Sequence, residues 1–514
     1  MTATIARESD GTRQRLRRRA TLPLLAGLLG FTISMIGITI PGLWYDEAAT
    51  VISTTRSWTQ LWAELGNVDA VHALYYAVMH LVFDVFGYSP LSLRMPSAIA
   101  VGIAAALVVI LGRQLGRPRL AIIAAVAFCL IPRVTWMGTE GRSYALTATL
   151  AILATVVLVR AIRLGTRGSW VLYGFVALLS VTVFIYLALV IVAHAVTVAW
   201  LLAERSGRAR LNARNWLISA GVAGVLSIPF VLETMSQSGQ ISWIGPLTGL
   251  TVQGVLRSQW FYSSEAFAIA AWAFTVVGVI VMVRALVLAR RVANGPAGHA
   301  ARTFLAVVLP AMLVPTLALL FVSAVYQPIY QPRYLSMCTP FVALAIAAGI
   351  DAIRWRPASA MAVALLVVLA LPQVTLQRTP ETKEFSSWAQ VADLIAAERA
   401  SDGPDSTTAI IYGELWGHAK ATTRAIAYSY PEQFESTVDV TILTPAAETA
   451  QLWETRAPIA ESLDRLDGTD VAYLITSTTR DLRPATTEAL ASVGWHVTDE
   501  WSFTHVNVLR YVRD

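Results

Sequence analysis

Two adjacent carboxylates, Asp46 and Glu47, stand in WYDEAAT directly beyond the first long apolar run of the chain. A carboxylate held at the headgroup level of a membrane has its pKa lifted by partial burial, which fits it to take a proton from a hydroxyl as a general base. The plainer account is a helix cap. Acids in a first helical turn meet free N–H groups and the positive end of the dipole, and that would explain one of the two. Trp44 and Tyr45 beside them suit a membrane interface.

Cations answer the acids elsewhere. WMGTEGRSYAL, 136–146, is a very short loop with Glu140, Arg142 and Tyr144, and QPIYQPRYL, 327–335, carries Arg333 and Tyr334. A guanidinium matches phosphate oxygens as a two-pronged fork, although either arginine can equally pair with a neighbouring carboxylate. HALYY, 72–76, adds His72, Tyr75 and Tyr76, where a lone interfacial histidine is ordinarily a satisfied polar group. His194 lies within an apolar run and reads as a helix-to-helix hydrogen bonder, with function as the second reading. Acids, cations and aromatics on one membrane face fit a lipid whose phosphate lies among the headgroups.

The elements that must hold these groups follow from composition. The 514 residues are 56% hydrophobic and 14% charged, which places most of the chain in lipid. Apolar runs near 22–40, 93–113, 119–135, 144–163, 169–185, 186–203, 214–232, 266–288, 303–325, 334–351 and 357–372 predict about 11 spans. The net charge of +6 collects as arginines between those runs, which excludes nucleic acid as a partner and marks cytoplasmic loops. RQRLRRR before the first span, a retained signal anchor, sets the N-terminus inside. The later basic loops then fall inside as well. A crossing at 72–87 would invert them, so that segment is expected to lie along the outer surface as an amphipathic helix. Cys129 and Cys338 sit inside apolar runs and offer neither a disulfide nor a metal cluster.

The expected organisation is a cytoplasmic N-terminus at 1–21, a transmembrane catalytic domain at 22–372 with an outer loop 41–92, and a small extracytoplasmic α/β domain at 373–514. In that tail, helices are expected near 384–400, 447–466 and 484–493. Strands are expected at 409–412, 440–443, 472–475 and in the final HVTDEWSF and HVNVLRYV. The fold class is therefore a polytopic α-helical membrane protein with a C-terminal α/β domain.

In WYDEAAT, HALYY, LRMPSAIAVG, EGRSYAL and PRYL, taken in that order, the chain resembles the GT-C membrane glycosyltransferases, in particular the protein O-mannosyltransferase and aminoarabinose-transferase branch. The resemblance covers about residues 20–350. It implies inverting transfer of a sugar from a polyprenyl monophosphate to an acceptor outside the bacterial cytoplasmic membrane, the acceptor being a glycan, a glycolipid or a protein. By the same resemblance Asp46 is the base and Glu47 its acidic companion. Arg142 and Arg333 hold the donor phosphate beside Glu140 and Tyr334, and His72, Tyr75 and Tyr76 line the donor or acceptor site. Relatives show His-Pro-Pro-Leu-Tyr-Tyr where this chain has HALYY, so the role of His72 loses its proline-set backbone. Some relatives are linked to a divalent cation; this chain shows no ligand set for one, and no other cofactor is implied. Mannose is the expected sugar, arabinofuranose the next. The rival classes are a lipid transporter or flippase, which expects charges near the bilayer midplane and repeated halves, and a non-catalytic membrane scaffold.

Overall fold

A computed structural model describes residues 20–203, 206–291, 296–403 and 405–513. The RQRLRRR segment of the N-terminal region 1–21 lies outside the described residues. Two compact units form: residues 20–38 with 94–376, and residues 39–93 with 377–513. The loop 41–92 and the tail, read above as parts of two domains, thus fall into one unit.

The first unit is helical. Among the described residues eight helices are long and apolar enough to cross a membrane, from Pro90–Gln114 to Arg356–Leu376. This is a multi-pass membrane protein. Three of the apolar runs above form shorter helices, Ala20–Met35, Pro118–Leu130 and Arg167–Val183. One reason is local: Ile131 leaves the helical region, at φ −58° and ψ 122°, because it precedes Pro132, and the helix restarts as Pro132–Met137. Phe184, at φ −161° and ψ 116°, likewise divides Arg167–Val183 from the next helix.

Small residues allow close helix approach in this unit. A Cβ on Gly349 would stand 2.0 Å from the Phe274 carbonyl oxygen, and one on Gly278 would stand 2.7 Å from the Gly349 nitrogen. Such stripes let lipid-embedded helices pack backbone to backbone. Polar side chains join other helices: His194 Nε2 lies 2.9 Å from Thr155 Oγ1 and Nδ1 lies 3.0 Å from Tyr173 Oη, which accepts from Trp216 Nε1 at 2.9 Å. His194 is therefore the helix-to-helix hydrogen bonder.

The second unit is built on strands β1 Thr408–Tyr412, β2 Glu414–Leu415, β3 His418–Thr422, β4 Val438–Asp439, β5 Ile442–Thr444, β6 Thr455–Arg456, β7 Val471–Ser477, β8 Trp495–Phe503 and β9 Val506–Arg513. The main sheet runs β4-β1-β7-β9-β8, with β4, β1 and β7 parallel and β9 antiparallel to both its neighbours. β1 and β7 are buried at every position, which is why they read as continuous apolar runs. Helices Trp388–Asp402 and Arg483–Ala491 match two of the three expected ones.

The expected helix 447–466 does not form. Its middle pairs as β6 with β5, Pro458 stands in its path, and only two 3-10 turns follow, at Ile459–Glu461 and Leu463–Leu466. Of the expected strand 440–443 only Ile442 and Leu443 lie in a strand, β5; Val440 and Thr441 join it to β4.

The helix Tyr45–Thr54 belongs to this unit's core. Ala48, Ala49 and Ile52 pack with Trp388, Val391, Ile410, Ile426 and Val508. The Ala73–Phe86 helix buries Tyr75, Tyr76, Met79, His80 and Phe83 and leaves Val78, Leu81, Val85 and Phe86 exposed, so it is two-sided with an apolar exposed face. Its 14 residues are short of the roughly 20 that a crossing needs.

Candidate functional site

Asp46 and Glu47 occupy the first turn of the Tyr45–Thr54 helix, where carboxylates favour the free N–H groups and the dipole. A surface cap would leave them wet. Instead Asp46 is 9% exposed and Glu47 is fully buried. Lys383, from the tail, brings its Nζ to 3.9 Å from Glu47 Oε1 and is itself 1% exposed in the side chain. The approach to the acids is held by the same tail. Gly42 N donates to Pro380 O at 2.8 Å, Leu43 N to Tyr430 Oη at 2.9 Å, and Ser386 Oγ to Leu43 O at 2.6 Å. Tyr45 lies flat on His418, ring centroids 3.4 Å apart, and accepts a hydrogen bond from Trp453 Nε1 at 3.1 Å.

His72, Tyr75 and Tyr76 are all buried in this unit at the start of the Ala73–Phe86 helix. The His72 ring is 5.6 Å from the Tyr76 ring, and Tyr76 Oη donates to Asp69 Oδ2 at 2.7 Å. Asp69 holds φ +59°, one of few non-glycine residues in the left-handed region, and its carbonyl accepts from His72 N at 2.8 Å. A left-handed turn at Asp69 thus fixes the backbone leading into His72.

In the helical unit, Glu140 and Arg142 are buried in the loop between Pro132–Met137 and Tyr144–Leu164. Ser97 Oγ ties that loop down, donating to the Glu140 carbonyl at 2.6 Å and the Arg142 carbonyl at 3.3 Å. Arg333 opens the 3-10 segment Pro332–Cys338 and lies over the Trp243 ring at 5.5 Å; Tyr334 stacks on Tyr186 at 5.1 Å.

Arg133 is the residue that reading the sequence missed. Its guanidinium lies 4.9 Å from the Trp136 ring centroid and 5.0 Å from that of Tyr262, and Nη2 donates to Ser258 O at 2.5 Å. Among the described residues no carboxylate acts on it, its Nε makes no hydrogen bond, and it is 5% exposed. The charge of Arg333 is within Coulombic range of it. Two aromatic faces offset part of the desolvation of a cation, about 2 kcal/mol or more. They do not replace an anion, and a second nearby cation sharpens the need for one. Tyr262, at φ +54°, holds its ring against this arginine from a strained backbone.

Among the described residues no group of three or more His, Cys, Asp or Glu side chains is placed to hold a metal ion. The carboxylate of Glu47 faces an ammonium, and the arginine group is cationic. Neither donor set fits a divalent cation.

No family profile and no curated protein sequence matches the chain. Its fold is that of the GT-C membrane glycosyltransferases. Two solved structures of ArnT from Cupriavidus metallidurans share it at 12% identity. For ArnT bound to undecaprenyl phosphate the TM-score is 0.55, covering 96% of this chain and 98% of ArnT. For apo ArnT it is 0.57, covering 95% and 97%. The arabinofuranosyltransferase AftD from Mycobacteria is similar at TM-score 0.53 and 15% identity, over 97% of this chain but 40% of AftD. At these identities the likeness is one of fold.

Proposed function

We propose that this protein is an inverting membrane glycosyltransferase that moves a sugar from a polyprenyl monophosphate to an acceptor hydroxyl in cell-envelope biosynthesis. The observation that carries the reading is Arg133, a buried cation with no carboxylate partner among the described residues and with the charge of Arg333 in range: a phosphate monoanion is an anion that Arg133 can take. Bound undecaprenyl phosphate in a protein of the same fold supports it.

In this scheme the acceptor hydroxyl gives its proton to Asp46 while its oxygen forms the new bond to C1 of the sugar. The bond from C1 to the phosphate oxygen breaks, and its electron pair leaves with the polyprenyl phosphate. Fixed guanidinium groups of Arg133, Arg142 and Arg333 stabilise the charge that builds on the leaving group, and losing one such stabiliser costs about 10²- to 10³-fold. Proton removal by Asp46 adds about 10²- to 10⁴-fold. Glu47 is the acidic companion, Glu140 and Tyr334 stand beside the donor ligands, and His72, Tyr75 and Tyr76 line the donor or acceptor site. Mannose is the first sugar to test and arabinofuranose the second. The acceptor class, whether glycan, glycolipid or protein, is for the same test to identify. The arginine-rich loops support a cytoplasmic N-terminus and an extracytoplasmic second unit in a bacterial cytoplasmic membrane.

Purified protein in liposomes, given a panel of polyprenyl-phosphate sugars and membrane extract, should form one new glycosidic linkage, and Asp46→Asn should remain folded with almost no transfer. Near-normal transfer by that variant defeats the assignment of the base. Movement of donor across the bilayer without a new linkage makes the protein a transporter instead.

A further inference from the structure

One residue of the tail that reaches the acid pair is Lys383. Its ammonium and the Glu47 carboxylate are 3.9 Å apart, at 1% and 0% side-chain exposure. Burial of either charge without a counter-charge is strongly unfavourable. Each therefore supports the other.

The backbone around Lys383 is over-determined. Ser386 N donates to Lys383 O at 2.9 Å, and the intervening Glu384 and Phe385 hold φ +51° and +57°, a conformation that side chains disfavour. The strap is pinned on both sides to the residues just before the acids, by Gly42 N to Pro380 O at 2.8 Å and by Ser386 Oγ to Leu43 O at 2.6 Å. A strained turn fastened at both ends holds one side chain in one place. That side chain meets the residue next to Asp46, on the same helical turn.

We propose that Lys383 is a positioning residue for the acid pair: it holds Glu47 in place, and through the shared turn it sets the orientation of Asp46. The tail is then part of the catalytic apparatus and not an appended recruitment module. This rests on the glycosyltransfer reading above. In this role Lys383 acts through Glu47.

The test is a double-mutant cycle on the full-length protein in liposomes, with Lys383→Met, Glu47→Gln and the pair combined, and with Lys383→Arg as the charge-keeping variant. Lys383→Met should lower kcat by about 10²-fold, the scale of a lost fixed charge beside a reacting group, with KM for the donor little changed. Lys383→Arg should recover a substantial part. In the Glu47→Gln background the Lys383→Met change should cost less than about twofold, because coupled residues are not additive. That comparison stands even if Lys383→Met alone does not fold, since the double variant removes both buried charges. Thermal melting of the four proteins should show the double variant more stable than Lys383→Met. Equal loss in both backgrounds, or loss in KM rather than kcat, overturns the proposal. So does a Lys383→Arg variant as inactive as Lys383→Met while equally stable. A wild-type protein that transfers no sugar defeats the enzymatic reading and this role with it, and the melting cycle then reports the ion pair alone.

Discussion

Arg56 Nη1 stands 2.7 Å from Glu64 Oε2, with side chains 5% and 0% exposed. Ser53 Oγ donates to the other carboxylate oxygen at 2.7 Å, and Arg56 Nη2 donates to the Gln451 and Leu452 carbonyls at 2.8 and 3.3 Å. The pair fastens the acid-bearing loop to the tail from a second direction. Burial is the larger influence on both groups: it lifts Glu64 to about 7 against the pull of Arg56, and it lowers Arg56 below the usual arginine value.

A glutamate raised in this way keeps its proton in the folded state while the unfolded chain ionises. Its contribution to stability is whole below the ordinary carboxylate value of 4.5 and is lost as pH rises to about 7. Glu64→Gln titrates nothing. The melting temperature of wild type minus that of Glu64→Gln should therefore shrink between about pH 5 and about pH 8. A difference that grows over that range means the arginine, not burial, governs the carboxylate.

Arg133 sets stability against activity. Arg133→Met removes a buried cation from beside Trp136 and Tyr262 and should raise the melting temperature, roughly 2–4 °C for each kcal/mol in a domain of 150–250 residues. The same change should lower transfer by about 10²- to 10³-fold. Arg133→Lys keeps the charge but loses the flat, forked group that stacks on two rings, so it should stay impaired. Free polyprenyl phosphate should raise the melting temperature of wild type and not of Arg133→Met. A variant that is destabilised and fully active removes Arg133 from the donor site.

How much of this was legible in the residues depends on distance along the chain. Apolar runs of about 20 residues report spans directly, and the continuous runs of β1 and β7 report buried strands, because both are local patterns. The segment 447–466 misled because its helical spacing is local while its pairing, β6 with β5, is set by the sheet. Arg133 was within reach: an arginine after Pro132 inside the apolar run 119–135 is a functional candidate by default. Lys383 was not. Nothing near TPETKEFSS announces a partner at Glu47, since that pairing exists only once loop and tail fold together.

The glycine contacts separate two otherwise similar substitutions. Gly349→Ala places a methyl group 2.0 Å from the Phe274 carbonyl oxygen, a backbone atom that cannot turn away. The helices Glu265–Arg291 and Thr339–Asp351 must then part, at a cost of about 1–3 kcal/mol or more. Gly221→Ala, in the helix Gly207–Ser236, meets nothing within 4 Å and should gain helix propensity of up to about 1 kcal/mol. The yield of protein that stays monodisperse on heating in detergent should fall for the first and hold or rise for the second.

Tyr430 offers a way to loosen the acid pair without touching a charge. Its hydroxyl accepts the Leu43 amide at 2.9 Å, three residues before Asp46, where Leu43 is 1% exposed. Tyr430→Phe takes away that acceptor at a cost of about 1–3 kcal/mol, and the strand of chain leading to Asp46 gains freedom. Misplacement of a reacting group slows chemistry more than it weakens binding, so kcat should fall by about tenfold while KM for the donor holds. Tyr473→Phe is the matched control. It removes a hydroxyl that donates to Asp402 Oδ2 at 3.0 Å within the same unit, and it should cost stability with kcat unchanged. If both variants lower kcat in proportion to their loss of melting temperature, the tail matters to transfer only by staying folded, and Leu43 is no lever on the acids.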